Sequence, residues 1–226
     1  RFIERVKLDA NLEVPNLPGE GHGNYFLMLG FPRSGTTLLE NMLASHPVIE
    51  TFEEIPSWQS LRQITGPFAL KKIALPLEEA FKARARYYRE IEQNKKKIGA
   101  TIFIEKLPIR SADAVMLEKM FPRKKYIFSI RHPYDVVLSC FKQYFQRNRA
   151  MDNFTTIEDA CQLYDFTMNQ WFKTFSLESE RICYVHYHQL VENVQDEVTR
   201  VLSFVGASWD DSVLRFAENS DERSSR

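Results

Sequence analysis

Residues 25–43 constrain this chain more than any other stretch. An unbroken apolar run, Tyr25-Phe26-Leu27-Met28-Leu29, leads into Gly30-Phe31-Pro32-Arg33-Ser34-Gly35-Thr36-Thr37, after which Leu38, Leu39, Met42 and Leu43 fall on one helical stripe. The run predicts a buried strand, the stripe a helix, and the segment between them a glycine-bounded turn. At such a junction the first N–H groups of the helix, aided by its dipole, are suited to hold an anion. The plainer alternative is a tight strand-to-helix turn that needs Gly30 and Gly35 only for backbone freedom.

The spacing follows the nucleotide-triphosphate loop G-x-x-x-x-G-K-[ST] at all but one place, because Thr36 stands where that motif has lysine. That lysine reaches the β and γ phosphates, so its loss argues against an ordinary ATPase or kinase. Arg33, within the turn, offers a cation whose planar fork suits an oxyanion.

A second strand-to-helix junction follows at Tyr126–Tyr144. Tyr126-Ile127-Phe128-Ser129-Ile130 reads as a strand, Arg131 closes it, and Pro133 with Asp135 suits a helix start. Val136, Val137, Cys140, Phe141 and Tyr144 form the expected buried stripe, and Ser139 lies off it, eight residues past Arg131.

The first junction, PRSGTT after a strand with His46-Pro47 ending the helix, resembles the 5′-phosphosulfate loop of sulfotransferases that use 3′-phosphoadenosine 5′-phosphosulfate (PAPS). It is most similar to the tyrosylprotein sulfotransferase branch and its bacterial relatives, some of which carry tetratricopeptide repeats ahead of the catalytic domain. The resemblance implies that Pro32, Arg33, Ser34, Gly35, Thr36 and Thr37 hold the 5′-phosphosulfate, and that Arg131 and Ser139 clamp the 3′-phosphate with a charged fork and a hydroxyl. In that branch the catalytic glutamate is the seventh residue after the proline of the His-Pro pair. Counting from Pro47 gives Glu54, with Glu53 as the fallback. Lys106, in Glu105-Lys106-Leu107-Pro108, matches the lysine that contacts the transferring sulfuryl group. Tyr187, in Tyr187-His188-Gln189-Leu190, matches a tyrosine near the adenine, although His188 replaces the usual acid.

Two departures accompany these matches. Pro56 stands where the tyrosine-modifying branch has an arginine that helps hold its substrate, so the base carries over while tyrosine specificity does not follow. A basic, glycine-containing loop that closes over the 3′-phosphate has no counterpart before the chain ends in Asp221-Glu222-Arg223-Ser224-Ser225-Arg226.

The implied fold is α/β, a P-loop-like parallel sheet with helices on both faces, its strands beginning near Tyr25, Thr101, Tyr126 and Ile182. Residues 1–23 read as a leading segment and linker, and 24–226 as a sulfotransferase catalytic domain whose C-terminal part is incomplete. Further helices are expected from Leu77 to about Lys97, with Leu77, Phe81, Tyr88 and Ile91 inward, and after a capping box at Thr155-x-x-Glu158. The latter would bury Ile157, Cys161, Tyr164, Met168, Trp171 and Phe175. Val194 to Val205 would end at Gly206, and Trp209 to Phe216 would give a last short helix.

Composition excludes some partners. Lys plus Arg equals Asp plus Glu at 30 each in 226 residues, so no charge excess points to nucleic acid. The clusters Lys95-Lys96-Lys97 and Arg123-Lys124-Lys125 are expected to be solvated faces. No apolar run approaches the roughly 20 residues that span a bilayer. Three cysteines, Cys140, Cys161 and Cys183, sit in apolar stripes and are expected to be buried thiols of a reducing compartment. A cytoplasmic location follows, or the Golgi lumen if an anchor precedes Arg1. His186-x-His188 has no further ligand at suitable spacing, so no metal is expected. The expected reaction is in-line transfer from PAPS, leaving 3′-phosphoadenosine 5′-phosphate (PAP), to a hydroxyl of protein tyrosine, carbohydrate, lipid or small molecule. The competing readings are a P-loop kinase with a degenerate loop and a non-catalytic module that keeps the nucleotide pocket.

Overall fold

The computed structural model describes residues 2–19, 23–145 and 150–216. Among these, five strands, β1 (Tyr25–Gly30), β2 (Ile49–Glu53), β3 (Ile102–Lys106), β4 (Lys125–Ile130) and β5 (Ile182–His186), pair in parallel in the order β2-β3-β1-β4-β5. The helices are α1 (Phe2–Ala10), α2 (Thr36–Ser45), α3 (Ser57–Lys71), α4 (Leu77–Asn94), α5 (Ala114–Met120), α6 (Pro133–Lys142), α7 (Ile157–Thr174), α8 (Tyr187–Glu192) and α9 (Val194–Val205).

β1 lies at the centre, and every one of its residues is buried. Strand pleating sends alternate side chains to opposite faces, which divides the core in two. Leu27, Leu29, Phe103 and Phe128 join α3, α4, α5 and Trp171 of α7, whereas Phe26, Met28, Ile104 and Ile127 join α2 and α9. A third cluster, with Phe31, Val136, Cys140, Phe154 and Leu163, supports the turn after β1 from α6 and α7. The chain leaves β3 on one side of β1 and enters β4 on the other. The carboxyl ends of β1 and β4 therefore flank the switch point where open parallel sheets bind ligands.

Several expectations about individual faces need correction. On α4, Leu77 and Phe81 are 48% and 40% exposed, and the inward residues are Ala80, Ala83, Tyr87, Tyr88 and Ile91. Small alanines let α4 lie close to its neighbours, which the larger apolar residues would have prevented. On α7 the buried positions are Ala160, Leu163, Thr167 and Trp171, leaving Ile157 and Cys161 exposed, so Cys161 is not a core thiol. Trp171 stacks on Phe128 at 4.1 Å as core. The α7 cap is Thr156, which accepts from the Asp159 N–H at 3.1 Å, one residue later than the Thr155 box. Phe141 and Tyr144 are exposed rather than inward. Lys124 and Lys97 do not belong to solvated faces. Lys124 is 3% exposed and donates to the Tyr88 hydroxyl, and Lys97 Nζ donates to the carbonyls of Ala44, His46 and Ile49. The last short helix, expected from Trp209 to Phe216, is a 3₁₀ helix at Asp211–Leu214. Residues 221–226, where the sequence lacks the closing loop, lie outside the described residues.

Candidate active site

Gly30 has φ 153°, and a Cβ there would stand 2.6 Å from Ser34 Oγ and 2.7 Å from the Ser129 carbonyl oxygen. The turn therefore closes tightly against β4. Gly35, at φ 97°, caps α2, and a Cβ there would strike the Tyr187 ring at 2.4 Å. Arg33 between them has φ 71°, a left-handed conformation that a non-glycine residue adopts only under surrounding constraint. The Ser34 N–H donates to the Phe31 carbonyl at 3.1 Å, and no side chain caps the first N–H groups of α2. The Ser34 hydroxyl is buried without a hydrogen-bond partner among the described residues. An uncapped helix start and an orphaned buried hydroxyl are what an anion would satisfy.

Each strand delivers residues to this end of the sheet. The turn after β1 brings Pro32, Arg33, Gly35, Thr36 and Thr37; β2 ends in Glu53, with Glu54 next; β3 ends in Lys106; Arg131 follows β4, and Tyr187 follows β5. All of them line one cleft of about 280 Å³, with Phe145 at its side. Tyr187 begins α8 rather than lying in a turn, and its ring carries the Arg131 guanidinium at 4.4 Å from the centroid.

Lys106 is 2% exposed, and its ammonium is held by Glu40 Oε2 at 2.8 Å and Glu53 Oε1 at 2.5 Å. Thr37 Oγ1 lies 3.4 Å away. Burial alone would pull the Lys106 pKa down, but the two carboxylates outweigh it and hold it above the ordinary lysine value. Glu54 is exposed, has φ 49°, and is fixed through its backbone N–H, which donates to the Lys106 carbonyl at 3.2 Å. It lines the cleft beside Glu53.

On the other side of Arg33 lies a second hollow of about 420 Å³, lined by Arg33, Arg131, Asp135, Ser139 and Lys142 among others. Arg33 Nε donates to Ser139 Oγ at 3.1 Å, and Arg131 Nη1 donates to the Arg33 carbonyl at 3.3 Å. Two motifs about a hundred residues apart thus meet through Arg33, and all the residues singled out from the sequence come to one end of the sheet. Arg33, Lys106 and Arg131 are the cationic residues among its lining, of a kind suited to an anion.

Sequence reasoning missed Glu40, Lys142 and Phe145. Glu40 had a signal: it is a charged residue between Leu39 and Met42, both buried on α2. Nothing in its spacing named Lys106 as its partner.

The family model described as "Sulfotransferase family" matches residues 26–211. Protein-tyrosine sulfotransferase 2 of Gallus gallus is 26% identical over 84% of this chain and 53% of its own length. The sulfotransferase domain of the Synechococcus PCC 7002 olefin synthase superposes with TM-score 0.58, at 22% identity, over 91% of this chain and 80% of that one. Mouse sulfotransferase SULT7A1, solved with PAP, superposes with TM-score 0.53, at 13% identity, over 95% of this chain and 67% of that one. The chain spans 28% of the length of a curated Aquifex aeolicus relative and 61% of that of protein-tyrosine sulfotransferase 1 of Danio rerio.

Proposed function

Because this chain belongs to the sulfotransferase family, we propose that it moves the sulfuryl group of PAPS onto an acceptor hydroxyl. The observation that carries the reading is the meeting of the loop after β1 with the Arg131–Ser139 pair, joined by the Arg33 to Ser139 contact at 3.1 Å. One anionic nucleotide with phosphates at both ends would engage both. The fold it shares with a sulfotransferase solved with PAP supports the same donor.

In this reading the α2 N-terminus with Thr36 and Thr37 holds the 5′-phosphosulfate, Arg131 and Ser139 take the 3′-phosphate, and Tyr187 lies by the adenine. An acceptor oxygen forms a bond to sulfur as the bond from sulfur to the 5′-phosphate oxygen breaks, in line, and PAP leaves. Glu54 takes the acceptor's proton as general base. Its carboxylate fits that role because, unlike Glu53, it is not engaged with Lys106. Arg33 and Lys106 neutralise charge that builds on the transferred group and on the leaving oxygen. The acceptor class is a hydroxyl. The tyrosine-modifying relatives favour a phenol, while Pro56 beside the base weighs against their mode of holding it.

Calorimetric titration with PAP, in EDTA and with ADP as comparison, tests the donor. PAP is expected to bind at least about tenfold more tightly than ADP, from one or two charge-assisted hydrogen bonds to the 3′-phosphate. Arg131→Ala should erase that preference. Equal affinity for the two nucleotides would remove the reading.

A further inference from the structure

Two carboxylates grip Lys106, and their surroundings differ. Glu40 reaches it from α2 with its side chain 6% exposed and is further held by the Thr51 hydroxyl on β2. Glu53 reaches it from the rim of the cleft with its side chain 66% exposed. Two carboxylates on one ammonium cancel its charge and, with both ionised, leave an excess of negative charge, the wrong sign for receiving an anion. Arg33 and Arg131 line the far side of the cleft, and Glu54 stands next to Glu53. An entering anion can therefore lower the local repulsion in one inexpensive way, which is to send Glu53 into water. Glu40 has no such exit, since leaving Lys106 would strand a buried carboxylate.

We propose that Glu40 is a positioning residue that fixes Lys106 Nζ in the cleft and keeps it protonated, while Glu53 is an exchangeable partner that yields Lys106 to an anion of the phosphosulfate class. The Glu40 part stands on the ion-pair geometry alone; the exchange rests on the reading of the cleft as a sulfuryl-donor site. Glu53 shares the lysine with Glu40 at the rim of the cleft. With donor bound, Glu40 alone holds it, so the orientation survives the exchange.

The test separates these parts. The ε-methylene resonance of Lys106, assigned with Lys106→Arg, is titrated by NMR in the parent chain, Glu40→Gln, Glu40→Asp and Glu53→Gln. Glu40→Gln keeps the shape and hydrogen bonding but not the charge, and is expected to lower the Lys106 pKa by about one unit or more. Glu40→Asp should restore most of it. The basic limb of the kcat pH profile should move down in parallel, with KM for PAPS changing less than kcat. Glu53→Gln should tighten PAPS binding severalfold. An unchanged Lys106 pKa in Glu40→Gln would overturn the positioning role, and weaker PAPS binding in Glu53→Gln would overturn the exchange. A lowered Lys106 pKa in a chain that binds no PAPS would sink the donor reading and the exchange while sustaining Glu40 as the anchor.

Discussion

Glu105 and Lys106 are consecutive on β3, and the pleat sends them to opposite faces of the sheet. Each is buried beside residues of opposite charge, yet the two neighbourhoods do different things. On the α3/α4 face, Glu105 is 1% exposed. It accepts from the hydroxyls of Ser57, at the start of α3, and Tyr87 of α4, and Lys124 lies near enough to act on it electrostatically. Burial pushes its carboxyl up to about 7, against the pull of those three groups. On the α2 face, Lys106 is nearly as buried, but it lines the cleft. The inner cluster closes on itself and ties two helices to a strand. The outer one has a fixed partner, a movable partner and an opening. A displaced pKa marks burial, and a site needs burial together with access.

Removing the outer cation should break the comparison most visibly. Lys106→Ala is expected to lower kcat by about 10²–10³, the effect of deleting one preorganised group that stabilises developing charge. Lys124→Met, on the inner side, should leave kcat of the folded protein unchanged and lower its denaturation midpoint instead. Steady-state kinetics with urea unfolding on both variants checks this. A comparable loss of kcat in both would mean that the two faces are not functionally distinct.

The inner cluster should also announce itself in the pH dependence of stability. Glu105 has a folded pKa of about 7 against an ordinary 4.5. The folded state thus holds a proton that the unfolded state releases between those values. Its contribution is fully present below the unfolded value and is lost as pH rises through the folded one. The upper limit is about 3 kcal/mol between pH 4.5 and 8, at about 1.4 kcal/mol per unit. Lys106 has its pKa raised, so its contribution is present throughout that window and is lost only above the ordinary lysine range. Urea midpoints should fall from pH 5 to pH 8 in the parent chain and fall less in Glu105→Gln. If Glu105→Gln keeps the full slope, the carboxyl is not the source.

The same contrast marks where the sequence was readable. The β1 junction could be read because an uninterrupted apolar strand and two glycines admit few other geometries, and Arg131 with Ser139 because eight residues fix both on one strand-to-helix unit. Helix faces were harder. On α4 the inward surface is carried by Ala80, Ala83 and Tyr87, while Leu77 and Phe81 are apolar and exposed. Hydrophobicity records what a side chain prefers, not how closely two helices must approach. On α7, Thr167 goes in and Ile157 stays out for the same reason. The Thr155 capping box stood one residue early, and only backbone geometry chose Thr156. Buried charge was least readable, because a charged residue betrays its burial only through its partner. Glu40 and Lys106 lie 66 residues apart (106 − 40), and Lys124 sits in a run that reads as solvated.

The smallest effect sharpens the comparison from within the inner cluster. The Tyr87 hydroxyl donates to Glu105 Oε2 at 2.6 Å and helps keep its pKa from rising further. In Tyr87→Phe that restraint is gone, so the folded pKa of Glu105 should rise and the loss of stability should extend to higher pH. At pH 5, where Glu105 is already protonated, the cost should be about 1 kcal/mol, the net value of one hydrogen bond. At pH 8 it should be larger, because the carboxylate then loses a donor while ionised. The ring remains to pack against Phe121 at 4.8 Å, so the packing contribution is unchanged. PAP affinity should not move, since Tyr87 faces away from the cleft. A cost independent of pH would show that Tyr87 braces α4 without touching the titration of Glu105, and the inner cluster would then be packing rather than a proton-linked unit.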